Sequence, residues 1–307
     1  MQEINEGISL CMIVKNEEKH LETCLNSIKG LVNEIIIVDT GSSDKTKDIA
    51  LKFTDKVYDY IWDEDFSSAR NLGLKKANYS HVLILDADES ISRLDFKKLR
   101  DLIKEDAEGF VLLCRTYTND TGIAGLISTK DDRYEESKIA SGYYLSKLLR
   151  FFKKDYYFEG KIHETVFNSI LKNKGKILES GVVIHHHGAL DKKRLENKKE
   201  IYISLLKKRM ENKDFKEKTE DRICFELSRE LLALERFDEA IIFLKKAIEL
   251  KEDFEYYLAL GGVYLIKKDL NESERLLKKA VLLNPENSSI HDNLGVLYSQ
   301  KGDIIKL

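Results

Sequence analysis

Two aspartates separated by one alanine, Asp86 and Asp88, end the apolar run HVLILD and are followed at once by Glu89. In an extended segment residues i and i+2 point to the same side, so both carboxylates can aim at one point across the small Ala87. Two such oxygens suit a hard divalent cation. The same residues also fit a strand-end turn with an aspartate capping the next helix, RLDFKKLR. Asp39 ends a second apolar run, EIIIVD, before the small-residue turn TGSSDKT, where it could accept hydrogen bonds from a base or ribose or cap the helix that follows. Arg70 lies one turn inside the helix predicted for FSSARNLGLKKA and could meet a diphosphate or pair with a neighbouring carboxylate. His185, His186 and His187 close the strand GVVIHHHG. Alternation turns His186 to the face opposite the other two, and one of the three can join the aspartates as a nitrogen ligand.

These groups need a scaffold that gathers strand ends. The first half alternates short β-branched runs with helical patterns: ISLCMIV, NEEKHLETCLNSIKG, EIIIVD, SSDKTKDIALKF. That is the sequence form of βαβ units on a mostly parallel sheet. Further strands are predicted at Lys56 to Tyr60, His81 to Asp86 and Gly109 to Cys114. Their continuous apolar character suits strands covered on both faces. In such α/β sheets ligands gather beyond the carboxyl ends of the strands, which is where the aspartates stand.

Composition limits the partners. With 51 basic and 54 acidic residues interspersed over 307, the net charge is −3, and no polybasic segment points to nucleic acid. Cys11, Cys24, Cys114 and Cys224 are widely spaced, three of them in apolar surroundings, which suits free thiols in a reducing, cytoplasmic compartment. The start MQEINEGISL has no basic region followed by an apolar one, and no run of about 18 apolar residues occurs. Neither a signal peptide nor a membrane span is therefore expected.

From about Asp191 strand signals give way to Leu/Lys/Glu-rich helical periodicity. YYLALGGVYLIKKDLNESERLLKKAVLLNP fits the tetratricopeptide pattern at Gly261, Tyr264, Ala280 and Pro285, and Gly295 and Tyr298 restart it 34 residues after Gly261 and Tyr264. An earlier, looser copy places Ala240 and Ala247 opposite Ser273 and Ala280 at a shift of 33. The expected organisation is an α/β domain over 1–190, a linker helix over 191–215 and about two and a half repeats over 216–307. Because stacked repeats need capping, the bare third copy ending at Leu307 implies a shortened chain or a face covered by another chain.

Together the segments SLCMIVKNEEKHLETCLNSI, EIIIVDTGSSDKT, DEDFSSARNLGLKKA, VLILDADE, LLRFFKKDYYFEGKIHETV and VIHHHG, in that order, resemble the family 2 glycosyltransferases of GT-A fold. The resemblance is specifically to the bacterial subgroup in which that domain is followed by tetratricopeptide repeats, and which is similar to enzymes that attach sugars to bacteriocin peptides. The catalytic half alone also resembles transferases that extend lipopolysaccharide cores. The resemblance implies that Asp39, with backbone groups near Val14 to Asn16, receives the uracil edge of a UDP-sugar. It implies that Asp86 contacts the ribose and metal side, that Asp88 ligates the metal, and that His186, from the pattern H-x-G that includes Gly188, is a further ligand. A mixed oxygen and imidazole shell accommodates Mn2+ more naturally than Mg2+. As a sugar leaves UDP, negative charge builds on the diphosphate, which the cation and Arg70 would stabilise.

Family 2 enzymes invert, which calls for a general base opposite the leaving group. The resemblance assigns Glu164 of FEGKIHETV as that base and His163 as a phosphate or orienting contact. Glu164 could instead sit in the first turn of a helix, favoured by the macrodipole. Glu89 and Asp65 are reserve bases. Trp62 is read as core more than as a sugar-stacking wall, and Tyr143, Tyr144, Tyr156 and Tyr157 line an acceptor path or belong to an edge strand.

Two other classes compete with this reading. A repeat scaffold with a dead front domain does not account for the presence of every metal and base candidate. A nucleotidyltransferase would carry a Gly/Arg/Lys-rich N-terminal loop, and LCMIVKNEEKH has no glycine cluster. The concave face of stacked repeats suits an extended peptide or a partner protein, so the expected acceptor is a Ser, Thr or Cys side chain of a polypeptide. The alternatives are repeats that serve only dimerisation and, separately, a transferase that acts on a cell-surface saccharide such as lipopolysaccharide or polysaccharide.

Overall fold

A computed structural model of the chain describes residues 5–122, 125–215 and 218–302, so Leu307 and the residues just before it lie outside the described residues. The chain divides into two compact units, Met1–Leu195 and Glu196–Leu307.

The front unit runs β1 (Asn5–Val14), α1 (Leu21–Ser27), β2 (Glu34–Asp39), α2 (Thr46–Ala50), β3 (Val57–Asp59), α3 (Phe66–Lys76) and β4 (Tyr79–Ile84). It continues with β5 (Glu89–Ile91), α4 (Phe96–Asp101), β6 (Gly109–Thr118), β7 (Ile127–Ser128), β8 (Gly142–Lys153), α5 (Phe167–Lys172) and β9 (Ile177–His186). The strands form one sheet in the order β3-β2-β1-β4-β8-β6-β9-β5, with β7 added to β8. The first four are mutually parallel. Beyond them β8 runs antiparallel to both β4 and β6, β9 is parallel to β6, and β5 is antiparallel to β9.

Alternation explains why the parallel strands read as unbroken apolar runs. Leu10, Met12, Ile37 and Leu83 pack on one face with Leu21 and Leu25 of α1, while Cys11, Ile36, Val82 and Ile84 pack on the other with Leu74 of α3. Both faces are covered. All four cysteines are buried free thiols, and burial raises each of them, with Cys114 pushed up to about 12 and Cys224 to about 11.

Parallel pairing sets Val14 beside Asp39 and Cys11 beside Ile84, so the ends of β1, β2 and β4 open on the same edge. The strand that carries Tyr143 and Tyr144 lies inside the sheet, a correction to the edge-strand alternative. Between β6 and β8 the register jumps from Phe110↔Phe151 to Val111↔Leu149, which leaves Arg150 as the extra residue of a β-bulge.

In the second unit, α6 (Lys192–Glu211), which starts within the last residues of the front unit, precedes α7 (Glu220–Ala233), α8 (Phe237–Leu250), α9 (Phe254–Ile266), α10 (Leu270–Leu283) and α11 (Ser288–Lys301). Helix α7 packs with α8, α9 with α10, and α11 on both α10 and α9. Ala240, Ala247, Ser273 and Ala280 are fully buried, as the two aligned copies require. A Cβ at Gly261 would come within 2.9 Å of Leu277, and the Ser273 hydroxyl donates to the Gly261 carbonyl at 2.8 Å. Small residues thus let the paired helices approach. Asp253, Asp269 and Asn287 cap the amino ends of α9, α10 and α11 with side-chain hydrogen bonds.

Candidate functional site

At the end of β2, Asp39 Oδ1 accepts hydrogen bonds from the backbone N–H groups of Gly41 and Ser42, both at 2.8 Å. Its Oδ2 is buried and has no partner among the described residues. Asp39 therefore shapes its own turn and does not cap α2, and Gly41, at φ +98°, takes the left-handed conformation that the turn requires. The Val14 carbonyl accepts from the Thr40 N–H at 3.0 Å and from the Thr40 hydroxyl at 3.1 Å. Asn16, also left-handed, donates its N–H to the Ser42 hydroxyl at 3.0 Å and accepts the Ser43 N–H at 2.8 Å. The loops after β1 and β2 are thereby tied into one wall.

The two aspartates beyond β4 do not stand in an extended segment. The Glu89 N–H donates to the Asp86 carbonyl at 3.0 Å, so Ala87 and Asp88 form a turn and the carboxylates face different partners. This corrects the expectation that both aim at one point. Asp86 lies between two guanidinium groups, with Arg70 Nη2 at 2.9 Å from Oδ1 and Arg150 Nη2 at 3.0 Å from Oδ2. Asp88, only 4% exposed, receives Arg194 Nη1 on Oδ2, and His186 Nε2 lies 3.3 Å from the same oxygen. Burial disfavours its charge, yet the hydrogen bond with His186 and the Arg194 guanidinium hold the carboxyl well below the usual range. Neither aspartate caps α4, which follows Asp95 without a side-chain cap.

Arg70 bridges the site. Buried within α3, it donates Nε to Glu164 Oε1 at 2.5 Å as well as Nη2 to Asp86, while its Nη1 has no partner among the described residues. Burial works against this charge, but Glu164 and Asp86 raise the guanidinium above its ordinary value. Glu164 does not lie in a helical turn; it sits in a loop closed by backbone hydrogen bonds between Glu159 and Thr165, both at 2.9 Å, and α5 begins only at Phe167. At the tip of that loop His163 is exposed and left-handed, at φ +56°.

Of the reserve bases, Asp65 is the N-cap of α3, accepting from the Ser68 N–H at 3.0 Å and the Ser67 hydroxyl at 2.6 Å. Those bonds outweigh its burial and keep it below the usual range. Glu89 is buried, accepts the Asp86 N–H at 2.8 Å, and is pushed up first by burial. Both are structural fixtures of the site. Trp62 is half-buried and edge-on to Phe66, with ring centroids 4.7 Å apart, so it is not core. Arg115 lies over the ring of Tyr143 at 4.3 Å, Tyr144 and Tyr157 are partly exposed, and Tyr156 and Tyr157 follow β8 in irregular chain.

The histidines divide as alternation requires. His186 lies beside Asp88 and Thr116, whereas His185 and His187 both stack on Tyr117, with centroids 5.9 and 5.2 Å apart. The Tyr117 hydroxyl meets His185 Nδ1 at 2.7 Å, and burial lowers His185 to about 3, so it is neutral at ordinary pH. Antiparallel pairing of Glu89 with His186 and the bond from the His187 N–H to the Asp88 carbonyl at 3.0 Å bring β9 and the aspartate turn together. Among the described residues no three His, Cys, Asp or Glu side chains converge. The donors that could share a cation are Asp88, whose Oδ2 now pairs with Arg194, and His186, 3.3 Å from that oxygen; a carboxylate and an imidazole fit an ion whose shell is completed by ligand oxygens.

Arg150 and Arg194 escaped the sequence reading. Arg150 stands in LLRFFKK, where the bulge breaks the alternation that would have aimed it, and Arg194 lies in the first turn of the helix that read as linker. They stand 64 and 106 residues from Asp86 and Asp88, and only the fold brings them together.

Residues 9–174, just over half of the chain, match the Glycosyl transferase family 2 profile, and residues 221–254 and 254–287 match the tetratricopeptide repeat. The chain is 29% identical over 245 residues to the SPbeta prophage-derived glycosyltransferase SunS of Bacillus subtilis, covering 78% of this chain and 53% of SunS. It is 40% identical over 107 residues to a TPR repeat-containing protein of Synechococcus elongatus, covering 34% of this chain and 27% of that one. It thus spans about half the length of the first relative and about a quarter of the second. The crystal structure of S. aureus TarS 1-349 in complex with UDP-GlcNAc aligns over 97% of this chain and 93% of that one at 15% identity and a TM-score of 0.46. A GT-A-like α/β unit followed by tetratricopeptide helices, with the profile match over the front unit, establishes that the chain belongs to glycosyl transferase family 2.

Proposed function

We propose that the chain is an inverting transferase that moves a sugar from a UDP-sugar, with a divalent cation such as Mn2+ or Mg2+, to a Ser, Thr or Cys side chain of a peptide or protein in the cytoplasm. The observation that carries this reading is the chain of contacts Glu164–Arg70–Asp86, which links a carboxylate in the 159–165 loop to the aspartate turn beyond β4.

In this reading Asp39 Oδ2, buried and unpartnered, accepts the uracil N–H, while the walls at Val14 and Asn16 close on the base. Asp86 faces the ribose. Asp88 and His186 hold the cation, which when bound offsets the charge that develops on the departing diphosphate. Arg70, with an unpartnered Nη1, donates to the same diphosphate. Glu164 takes the proton of the acceptor as its oxygen or sulfur attacks the anomeric carbon opposite the leaving UDP, and His163 at the loop tip orients the phosphate or the acceptor. In this scheme Glu164 receives the proton, the acceptor supplies the nucleophile, and UDP departs with its charge offset by Arg70 and the cation.

Asp88→Asn or His186→Ala is expected to lower turnover on the order of 100-fold or more, as the loss of charge stabilisation at a leaving group does. Turnover measured as UDP release in the presence of a chelator checks the same point, and full activity there removes the cation from the reading.

The repeats bear on the acceptor. SunS is named as a glycosyltransferase, and tetratricopeptide helices form a concave surface suited to an extended chain. Ending the chain after Lys213 is expected to leave hydrolysis of the UDP-sugar in place while transfer to a peptide is lost through a raised KM. Unchanged transfer per site together with a fall from two copies to one per particle in solution would instead give the repeats an assembling role in a homodimer. Better transfer to a free or lipid-linked saccharide than to any peptide would replace the polypeptide acceptor with a surface saccharide.

A further inference from the structure

We propose that Arg194 is the internal counter-ion of the cation site: its guanidinium occupies the Asp88 carboxylate until a divalent cation displaces it, so this residue sets how tightly the site loads. The inference rests on the reading of Asp88 and His186 as cation ligands.

Arg194 forks between two carboxylates, Nη1 on Asp88 Oδ2 and Nη2 on Glu17 Oε1. The imidazole Nε2 of His186 lies 3.3 Å from that same Asp88 oxygen. An ion shared by Asp88 and His186 would therefore bind the oxygen that the guanidinium now takes. Two local features deliver Arg194 there. The Asp191 carboxylate accepts the Arg194 N–H at 3.0 Å, which fixes its backbone at the start of α6. A Cβ at Gly188 would overlap Asp88 Oδ2 and come within 2.7 Å of Arg194 Nη1, so the glycine leaves room for this pairing and any side chain there would have to shift it.

A guanidinium and a doubly charged ion repel strongly at ion-pair range in a partly buried site, so they compete for the same carboxylate oxygen. Loading is thus favoured when Arg194 leaves Asp88. Its second contact, on Glu17, gives the displaced charge a place to remain. With no cation bound, the arrangement keeps a nearly inaccessible carboxylate paired, which avoids the penalty of an isolated buried charge.

The test is Mn2+ binding by the parent protein, Arg194→Ala, Arg194→Lys and Asp88→Asn, measured as the loss of the free-ion electron paramagnetic resonance signal with UDP present to complete the shell. Arg194→Ala is expected to bind Mn2+ at least about tenfold more tightly, because a competing charge at contact distance is gone. Arg194→Lys, which retains charge but not the planar fork, should fall between the two. The melting temperature of Arg194→Ala should drop in chelator and recover on adding Mn2+, which also shows that the variant folds. If Asp88→Asn loses the ion while Arg194→Ala binds it no more tightly, the cation site stands and Arg194 is not its counter-ion. If Asp88→Asn binds as the parent does, the site itself is misplaced and the inference falls with it.

Discussion

Glu164→Gln is expected to lower sugar transfer by roughly 100-fold or more while binding of the nucleotide sugar stays near that of the parent, since the amide keeps the shape but cannot take a proton. The structure sharpens this test, because Glu164 Oε1 also accepts the Arg70 Nε at 2.5 Å. Glutamine can still present an oxygen to Arg70, so Arg70 should keep its place and the loss should fall on kcat, not on KM for the donor. A fall in donor affinity with kcat intact would mean that Glu164 only positions Arg70. An unchanged rate would remove it from both roles, and the structure leaves no ready substitute, since Asp65 caps a helix and Glu89 is buried behind the aspartate turn.

Arg70→Met is expected to lower the unfolding free energy of the front unit by about 3 kcal/mol, the lower end of the cost of stripping one partner from a buried ion pair. The lower end applies because Asp86 keeps Arg150 and is itself 27% exposed at the side chain. Urea unfolding followed by the fluorescence of Trp62, the only tryptophan, reports on this unit because the residue packs on Phe66 at the start of α3. The same variant should lose at least as much transfer as Asp88→Asn, for it removes a donor to the diphosphate and a tether of Glu164. In the double variant with Glu164→Gln the stability loss should shrink, because one of the two stranded carboxylates is no longer charged. An unfolding midpoint equal to the parent's would show that Arg70 bridges nothing of consequence.

Much of this protein is set locally and is legible in order along the chain. The runs ISLCMIV, EIIIVD and HVLILD become parallel strands because a sheet covered on both faces demands apolar side chains at every position. Their carboxylates fall at one edge because parallel strands share a direction. Gly261, Ser273 and Ala280 mark helix pairs because only small residues fit where helices cross closely. The separation of His186 from its neighbours follows from a period of two.

What the tertiary structure alone decided is which charges meet. Alternation placed Asp86 and Asp88 on one side, but the backbone hydrogen bond from Glu89 closes a turn there, and Asp86 meets Arg70 and Arg150 while Asp88 meets Arg194. Arg150 reaches Asp86 from 64 residues away because a bulge, an exception to the period, re-aims it. Arg194 reaches Asp88 across 106 residues through the space left by a glycine. Periodicity records the direction of a side chain relative to its own element, and it carries no information about distance to a charge on another; Coulomb attraction acts only once the sheet has closed that distance.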